Sequence, residues 1–215
     1  MRSREINKLI KGFKQFREKY FSGNDESDYS KRFDGQAPKT LLIGCSDSRV
    51  DPALLYSTSP GELFVLRNVA NLVPPYEASG TGRHGVSAAI EFAVVNLKVE
   101  NIVILGHRQC GGIRALMSGQ QQKEVSFVGS WMEIAHVARE KVLQKFSKLD
   151  YESQCKECEK EAITISLQNL KTFPFVKQAI NASKLNVIGI YFDLEQGTLM
   201  EYDESTQNFN TLKIT

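Results

Sequence analysis

The segment 39–52 reads KTLLIGCSDSRVDP, in which a run of apolar or small residues leads directly to Cys45 and then to Asp47 and Arg49. A short run that is rich in Leu and Ile is typical of a buried strand. Reactive side chains at the end of such a strand indicate a functional site, because open parallel sheets bind their ligands beyond the carboxyl ends of the strands. The segment therefore predicts a strand with a site at its end.

Three more apolar runs have the length and composition of strands, and helical patterns lie between them. The strand-like runs are LFVL (63–66), NIVILG (101–106) and NVIGIYFDL (186–194), and the helical patterns cover 85–98, 126–146 and 158–173. Strands that alternate with helices predict an α/β domain with a central, mostly parallel β-sheet flanked by helices. The last segment, 197–215, is expected to form an edge hairpin or a tail.

Residues 1–35 are expected to form an N-terminal helical arm, and residues 36–215 a single α/β domain. Apolar residues recur in the arm at spacings of three and four, which predicts an amphipathic helix with a basic outer face. These residues are Ile6, Leu9, Ile10, Phe13, Phe16 and Tyr20. Such a helix packs either on its own domain or on a partner subunit, and the pattern alone favours neither. We adopt the partner subunit as the prediction, because a polar link follows the helix at 22–36.

The composition excludes several classes of protein. The chain has 215 residues, of which 41% are hydrophobic and 24% charged, as in a globular domain with a sizeable core. A net charge of only +2 gives no case for a nucleic-acid partner. No apolar segment reaches the length of a membrane span, about 18 residues or more, and the N-terminus does not resemble a signal peptide. We therefore expect a cytoplasmic protein, whose four cysteines are thiols or metal ligands rather than disulfides.

Two of the predicted strands lead to residues that bind metals. The run at 40–44 precedes Cys45, and the run at 101–106 precedes His107 and, after a spacer of two residues, Cys110. If these strands are neighbours, the three side chains converge, and two thiolates with one imidazole suit zinc. Taken alone, each motif has a simpler interpretation, such as a structural ion pair or a core histidine. Their joint position at two strand ends favours the metal site.

The number of ligands bears on whether the zinc is catalytic. Structural zinc sites are usually closed by four protein ligands, whereas catalytic sites keep three and leave one position for water. No third cysteine lies near either strand end, so the fourth position belongs to water or to the Asp47 carboxylate. A carboxylate held by the Arg49 guanidinium is fixed in direction and ionised, and it can accept the hydrogen bond of a zinc-bound hydroxide.

The motifs CSDSR (45–49) and GHRQCGG (106–112) closely resemble those of the β-class carbonic anhydrases, and the similarity continues through 60–75 and 85–107. This resemblance implies a zinc (Zn2+) lyase that interconverts carbon dioxide and bicarbonate by attack of zinc-bound hydroxide. It also implies a homodimer or a higher oligomer built from dimers. By matching positions, the implied zinc ligands are Cys45, His107 and Cys110, and the implied catalytic pair is Asp47 and Arg49.

The resemblance further implies the residues that contact the substrate, which are Gln36, Phe64, Val69, Phe92 and Gly111. Gln36 matches a glutamine that reaches the substrate from the neighbouring subunit, and Gly111 matches a contact made by a backbone N–H. An apolar wall suits carbon dioxide, which is small and has no net dipole. Phe92 departs from the tyrosine that plant-like members often carry, so a role for that hydroxyl does not transfer to this chain.

One further comparison concerns regulation. Some bacterial members bind bicarbonate at a non-catalytic pocket built around a tryptophan three residues before the first zinc cysteine, where this chain has Leu42. We therefore predict the active arrangement, in which Asp47 pairs with Arg49 and water occupies the fourth position on zinc.

Two alternative functions stay open. Relatives on the same scaffold hydrolyse carbonyl sulfide or carbon disulfide with the same metal chemistry. In a different class, the zinc would only join two strands, and the oriented Asp47–Arg49 pair argues against this.

The C-x-x-C pair of Cys155 and Cys158 lies in a charged helical pattern and is interpreted as incidental. The two histidines other than His107 have simpler interpretations. His84 is a candidate for proton transfer or a solvated residue, and His136 is interpreted as structural.

Overall fold

The computed structural model describes residues 2–21, 35–78, 82, 84–119 and 126–213. Its contacts divide the chain into two compact units, Met1–Ala37 and Pro38–Thr215. None of the helices in the described ranges is long and apolar enough to cross a membrane.

The described part of the first unit contains one helix, α1 (Arg4–Tyr20). Ser3 caps this helix by accepting a hydrogen bond from the backbone N–H of Ile6 (3.3 Å). No residue of α1 is buried, and its apolar side chains Leu9 and Phe13 are 68% and 62% exposed. The predicted helix is thus present, and the apolar side chains in its first half are largely exposed.

The second unit is built on a six-stranded sheet in the order β2-β1-β3-β4-β5-β6. The strands are β1 (Thr40–Cys45), β2 (Leu63–Asn68), β3 (Asn101–His107), β4 (Asn186–Asp193), β5 (Thr198–Asp203) and β6 (Asn208–Thr211). The first four pair in parallel, and β5 and β6 extend the sheet as an antiparallel hairpin. The prediction of a mostly parallel α/β sheet is confirmed.

The helices of this unit lie between the strands, as the patterns predict, but two of the three patterns are interrupted. The helices are α2 (Pro52–Leu55), α3 (Gly85–Glu91), α4 (Gly111–Ser118), α5 (Phe127–Met132), α6 (His136–Lys145), α7 (Tyr151–Leu170) and α8 (Pro174–Asn181). The pattern at 85–98 forms α3 and then a wider π-helical segment, Phe92–Leu97, which ends where Lys98 adopts a left-handed backbone (φ 55°). The pattern at 126–146 is divided by a 3-10 turn, Glu133–Ala135.

Helix α7 packs closely against the middle of the sheet. A Cβ added at Gly106 of β3 would lie 2.7 Å from the Ile163 side chain, and one added at Gly189 of β4 would lie 2.8 Å from it. Both positions therefore favour glycine, because a methyl group at either would force the buried Ile163 side chain to shift. This close approach brings the middle of α7 to the carboxyl end of β3, where the predicted site lies.

The sheet topology places the two predicted metal-binding motifs side by side. β1 and β3 are parallel neighbours, with Gly44 opposite Leu105, so both strands end at the same edge of the sheet. β1 ends at Cys45 and β3 ends at His107. The strand adjacency on which the site prediction depends is therefore present.

The glycine pair after Cys110 gives a first testable prediction. A Cβ at Gly112 would lie 2.8 Å from Val69 Cγ1 and 3.1 Å from Ala70 Cβ, whereas one at Gly111 meets nothing within 4 Å. We expect Gly112→Ala to lower the free energy of unfolding by about 1–3 kcal/mol, the usual cost of overpacking. Gly111→Ala should leave it within about 1 kcal/mol of the wild-type value, because alanine also favours the helix. Urea unfolding of both variants tests this, and equal losses would contradict it.

Candidate metal centre

Three side chains from two strand ends converge in the interior of the second unit. Ligand atoms of Cys45, His107 and Cys110 all lie within 4.8 Å of one another, and the two Sγ atoms are 3.9 Å apart. All three residues are buried, with at most 5% of their surface exposed. Cys45 and His107 are the last residues of β1 and β3, and Cys110 immediately precedes α4. The predicted ligand residues are therefore brought together.

The imidazole of His107 is arranged as a metal ligand would be. Its Nδ1 lies 2.9 Å from the carbonyl oxygen of Arg108, which makes Nδ1 the protonated nitrogen and leaves a lone pair on Nε2. Nε2 is buried and has no hydrogen-bond partner among the described residues. A buried polar atom without a partner is costly, and metal-bound histidines typically donate their other nitrogen to a carbonyl in this way.

The two thiols favour a cation between them. Hydrogen bonding from Cys110 lowers the pKa of Cys45 below its ordinary value, against the opposing effect of burial. The same contact, together with burial, raises the pKa of Cys110 above its ordinary value. One negative charge is thus readily held here, while a second requires a positive charge nearby. Two thiolates and one imidazole are a donor set that fits zinc.

Asp47 and Arg49 form a bidentate pair beside these ligands. The Asp47 Oδ1 atom accepts from the backbone N–H and the Nε–H of Arg49, each at 2.9 Å, and Oδ2 accepts from Arg49 Nη2 at 2.7 Å. The backbone N–H of Asp47 is 3.4 Å from the Cys45 Sγ atom. The Arg49 guanidinium holds the pKa of the Asp47 carboxyl well below its usual range, so this carboxylate stays ionised.

Arg67, on β2, fixes the backbone of the loop that carries this pair. Its Nε donates to the carbonyl oxygen of Cys45 (2.8 Å), and its Nη2 donates to that of Asp47 (2.6 Å). Its third contact is an ion pair with Asp51 (3.2 Å), the residue that caps α2. A single guanidinium therefore holds three points of the loop 45–51, which gives Arg67 a structural part at this site.

Glu159, on α7, is a buried carboxylate that sequence reasoning missed. Its Oε1 accepts from the backbone N–H of Cys110 (3.0 Å), and its Oε2 accepts from the hydroxyl of Tyr191 (2.8 Å). Burial raises the pKa of the Glu159 carboxyl. The segment YESQCKECEKEA appears as a solvated charged helix, but Cys155, Cys158 and Ala162 mark an apolar face on which Glu159 also lies. In the sequence, this apolar face could have indicated that Glu159 is buried.

Removing Glu159 should destabilise the chain. Glu159→Ala leaves two buried donors without an acceptor, and each costs about 1–3 kcal/mol, so we expect a loss of about 2–6 kcal/mol in the free energy of unfolding. Glu159→Gln keeps one acceptor and should lose less. The matched control is Glu157→Ala on the same helix, where a partly exposed ion pair with Lys160 is worth about 0.5 kcal/mol. Urea unfolding would contradict the prediction if the alanine and glutamine variants at 159 were equally stable.

The other cysteines and the predicted substrate residues have distinct placements. Cys155 and Cys158 are buried free thiols and do not belong to the metal group found among the described residues. The rings of Phe64 and Phe92 lie 5.8 Å apart. The carbonyl oxygen of Val69 accepts a hydrogen bond from Trp131 Nε1 (2.8 Å), which fixes the turn next to Gly112. Gln36 is exposed and lies in the first unit, so its predicted contact with substrate stays a prediction.

Comparisons with known proteins find similar sequences and structures. The family model described as carbonic anhydrase matches residues 40–199. Beta carbonic anhydrase 3 from Arabidopsis thaliana is 36% identical over 206 residues, which cover 94% of this chain and 79% of the relative. The structure of the β-carbonic anhydrase CcaA is 33% identical and aligns with a TM-score of 0.90 over 99% of this chain and 94% of its own. A tetrameric β-carbonic anhydrase from Sordaria macrospora is 29% identical, with a TM-score of 0.74 over 92% and 93% of the two chains.

Proposed function

Since this chain belongs to the β-class carbonic anhydrases, and is an enzyme of that family, we propose that it hydrates carbon dioxide reversibly with a zinc ion held by Cys45, His107 and Cys110. The observation that carries the proposal is the buried His107 Nε2, which lacks a hydrogen-bond partner beside two buried thiols. When bound, zinc lowers the pKa of water to about 7 and so supplies a nucleophile near neutral pH.

The part of Asp47 follows from its remaining hydrogen-bonding capacity. A carboxylate offers about four acceptor positions, and Arg49 occupies two on Oδ1 and one on Oδ2. One position on Oδ2 is left among the contacts of the described residues. We assign to it the hydrogen bond from the nucleophile, which would direct the attacking oxygen at carbon dioxide. Arg49 keeps the carboxylate ionised, so it always acts as an acceptor.

The substrate contacts are proposed on the same basis. The side chains of Phe64, Val69 and Phe92 would form an apolar wall, in which carbon dioxide loses little on leaving water. A Cβ added at Gly111 would meet nothing within 4 Å, so there is room for a small molecule next to the backbone of this residue. Gln36 would reach the substrate across a subunit interface. The proton released by hydration passes to solvent or buffer.

We also propose that the protein is a homodimer or an oligomer of dimers in the cytoplasm. Apolar side chains are exposed on the edge strand β2 and on the π-helical segment that follows α3, including Val65 (42%), Phe92 (44%) and Val95 (50%). The arm at 1–35, with its exposed apolar stripe, would pack on the partner subunit. A relative is described as tetrameric. Light scattering of the purified chain measures this, and a monomer at micromolar concentration would contradict it.

The alternative substrates can be distinguished by comparing the rates at which the protein converts each of them. The zinc-loaded protein is assayed for carbon dioxide hydration by stopped-flow and for carbonyl sulfide and carbon disulfide hydrolysis by sulfide release. We expect kcat/KM to be largest for carbon dioxide. A larger value for a sulfur compound would favour that hydrolase activity instead. Full zinc loading without turnover of any of the three would favour a structural zinc domain.

The position of Asp47 can be tested in a crystal structure of the zinc-loaded protein near neutral pH. We expect both Asp47 oxygens to stay with Arg49 and a water to occupy the fourth position on zinc. An Asp47 oxygen at about 2.0–2.2 Å from the metal, the usual zinc–carboxylate distance, would overturn this arrangement.

A further inference from the structure

We propose that Gln109 and Glu195 act as a positioning pair, which holds the Arg49 guanidinium and, through it, the Asp47 carboxylate in the orientation that the reaction needs. The inference rests on the proposed function. Neither residue is part of the metal group or of the Asp47–Arg49 pair. Gln109 falls in what the motif H-x-x-C treats as spacer, and Glu195 lies 86 positions further along the chain.

Gln109 contacts the side of the guanidinium that Asp47 leaves open. Arg49 Nη1 donates to the Gln109 side-chain oxygen Oε1 (3.3 Å), and Arg49 Nη2 donates to the Gln109 carbonyl oxygen (3.1 Å). With the two N–H groups that bind Asp47, four of the five guanidinium donors are engaged. Asp47 and Gln109 together therefore define the plane of the guanidinium, which Asp47 alone would leave free to pivot.

Glu195 determines which way the Gln109 amide faces. Gln109 Nε2 donates to Glu195 Oε1, so the amide oxygen is the atom left to accept from Arg49. The other oxygen of Glu195 lies 3.5 Å from Arg108 Nε, so both spacer residues of the motif contact the same carboxylate. The backbone N–H of Glu195 donates to Asp193 Oδ1 (3.1 Å), which fixes the turn after β4. Glu195 can reach Gln109 because Glu195 follows β4, Gln109 follows β3, and these two strands are neighbours in the sheet.

The backbone of Gln109 has an unusual conformation. Its φ is +59°, a left-handed conformation that residues with a side chain rarely adopt. The contacts of its side chain and of its carbonyl oxygen hold Gln109 in this conformation. Here the carbonyl oxygen of the strained residue is itself one of the acceptors for Arg49.

The expected signature is a loss of rate without a loss of metal or of fold. The Arg49 side chain is 47% exposed, so water can replace the hydrogen bonds that Gln109 makes, at little cost to folding. Water does not fix the direction of the guanidinium, however, and small losses of orientation are costly in catalysis. The effect should therefore appear in kcat more than in KM.

The test compares Gln109→Ala with Gln207→Ala. Gln207 is the same residue type, is exposed and has the same left-handed backbone (φ 55°), but lies in the turn between β5 and β6. We expect Gln109→Ala to lower kcat about tenfold, with KM and zinc stoichiometry unchanged, and Gln207→Ala to change none of these. Glu195→Ala should lower kcat about threefold, and it should cause no further loss in the Gln109→Ala background, because Glu195 acts through Gln109.

Three results of the rate and zinc measurements would overturn the inference: equal kcat values for the two glutamine variants, a Glu195→Ala loss that persists in the Gln109→Ala background, or loss of zinc from Gln109→Ala. Crystal structures of the two glutamine variants keep the test independent of the proposed function. We expect the bidentate geometry of Asp47 and Arg49 to be lost only in Gln109→Ala, and its retention would overturn the inference. Inactivity of the zinc-loaded wild-type protein would instead count against the proposed function, and the crystallographic comparison would still decide the positioning role.

Discussion

Cys45→Ala is expected to lose its zinc and to slow carbon dioxide hydration by about 10³-fold or more, because the nucleophile is supplied through the metal. With the Cys45 thiolate gone, only His107 and Cys110 remain from a three-residue group. Two protein ligands do not retain zinc in the way that three or four do. Zinc stoichiometry by mass spectrometry and stopped-flow rates measure both effects on the same preparation.

The chain contains a matched control for this variant. Cys155 is 3% exposed, against 5% for Cys45, and it belongs to the same hydrophobic cluster, but it is not in the metal group. Cys155→Ala should therefore lose a similar amount of packing and keep one zinc per chain with a nearly unchanged rate. Full zinc occupancy in Cys45→Ala, or equal zinc losses in the two variants, would contradict the assignment of the ligands.

Asp47→Asn is expected to keep its zinc and to lower kcat by about 10²–10³-fold, the range found when one oriented polar group is removed from an active site. The amide has almost the same shape as the carboxylate, but it carries no charge for Arg49 and presents an NH2 group where an acceptor is needed. Stopped-flow rates, taken at equal zinc content, measure the effect.

Asp203→Asn is the corresponding control. The Asp203 Oδ1 atom accepts from the backbone N–H of Ser205, two residues on, at 2.9 Å, just as Asp47 Oδ1 accepts from Arg49 at 2.9 Å. Asp203 lies at the end of β5, in the hairpin. The control variant undergoes the same carboxylate-to-amide change in the same kind of local turn, away from the metal group, and should keep its rate. If Asp47→Asn retained more than about half of the wild-type kcat, the catalytic part assigned to Asp47 would be wrong.

Much of the architecture could be predicted from local sequence. The runs that become β1, β3 and β4 are apolar because both faces of a parallel sheet are covered, and this pattern is visible in a single sequence. The ends of β1 and β3 could also be located, since Cys45 and His107 follow their strands directly. Cys45, His107 and Cys110 then come together if these two strands are neighbours, and in the sheet they are.

The contacts that support the site could not be predicted, because they join distant segments. Glu159 meets Cys110 only because α7 packs closely over Gly106 and Gly189. Glu195 meets Gln109 only because β4 pairs with β3. The apolar face of its helix indicates at most that Glu159 is buried, and no local pattern indicates which groups Glu159 or Glu195 contacts.

The most direct measurement of the central claim is carbon dioxide hydration by one preparation of the wild-type protein before zinc removal, after it, and after zinc is restored. At pH 8 to 9 we expect stopped-flow rates far above the uncatalysed reaction in the zinc-loaded protein, a fall to background in the stripped protein, and recovery in proportion to zinc bound, up to one per chain. Hydration at the background rate by the fully zinc-loaded protein, or an undiminished rate after the metal is removed, would contradict the account.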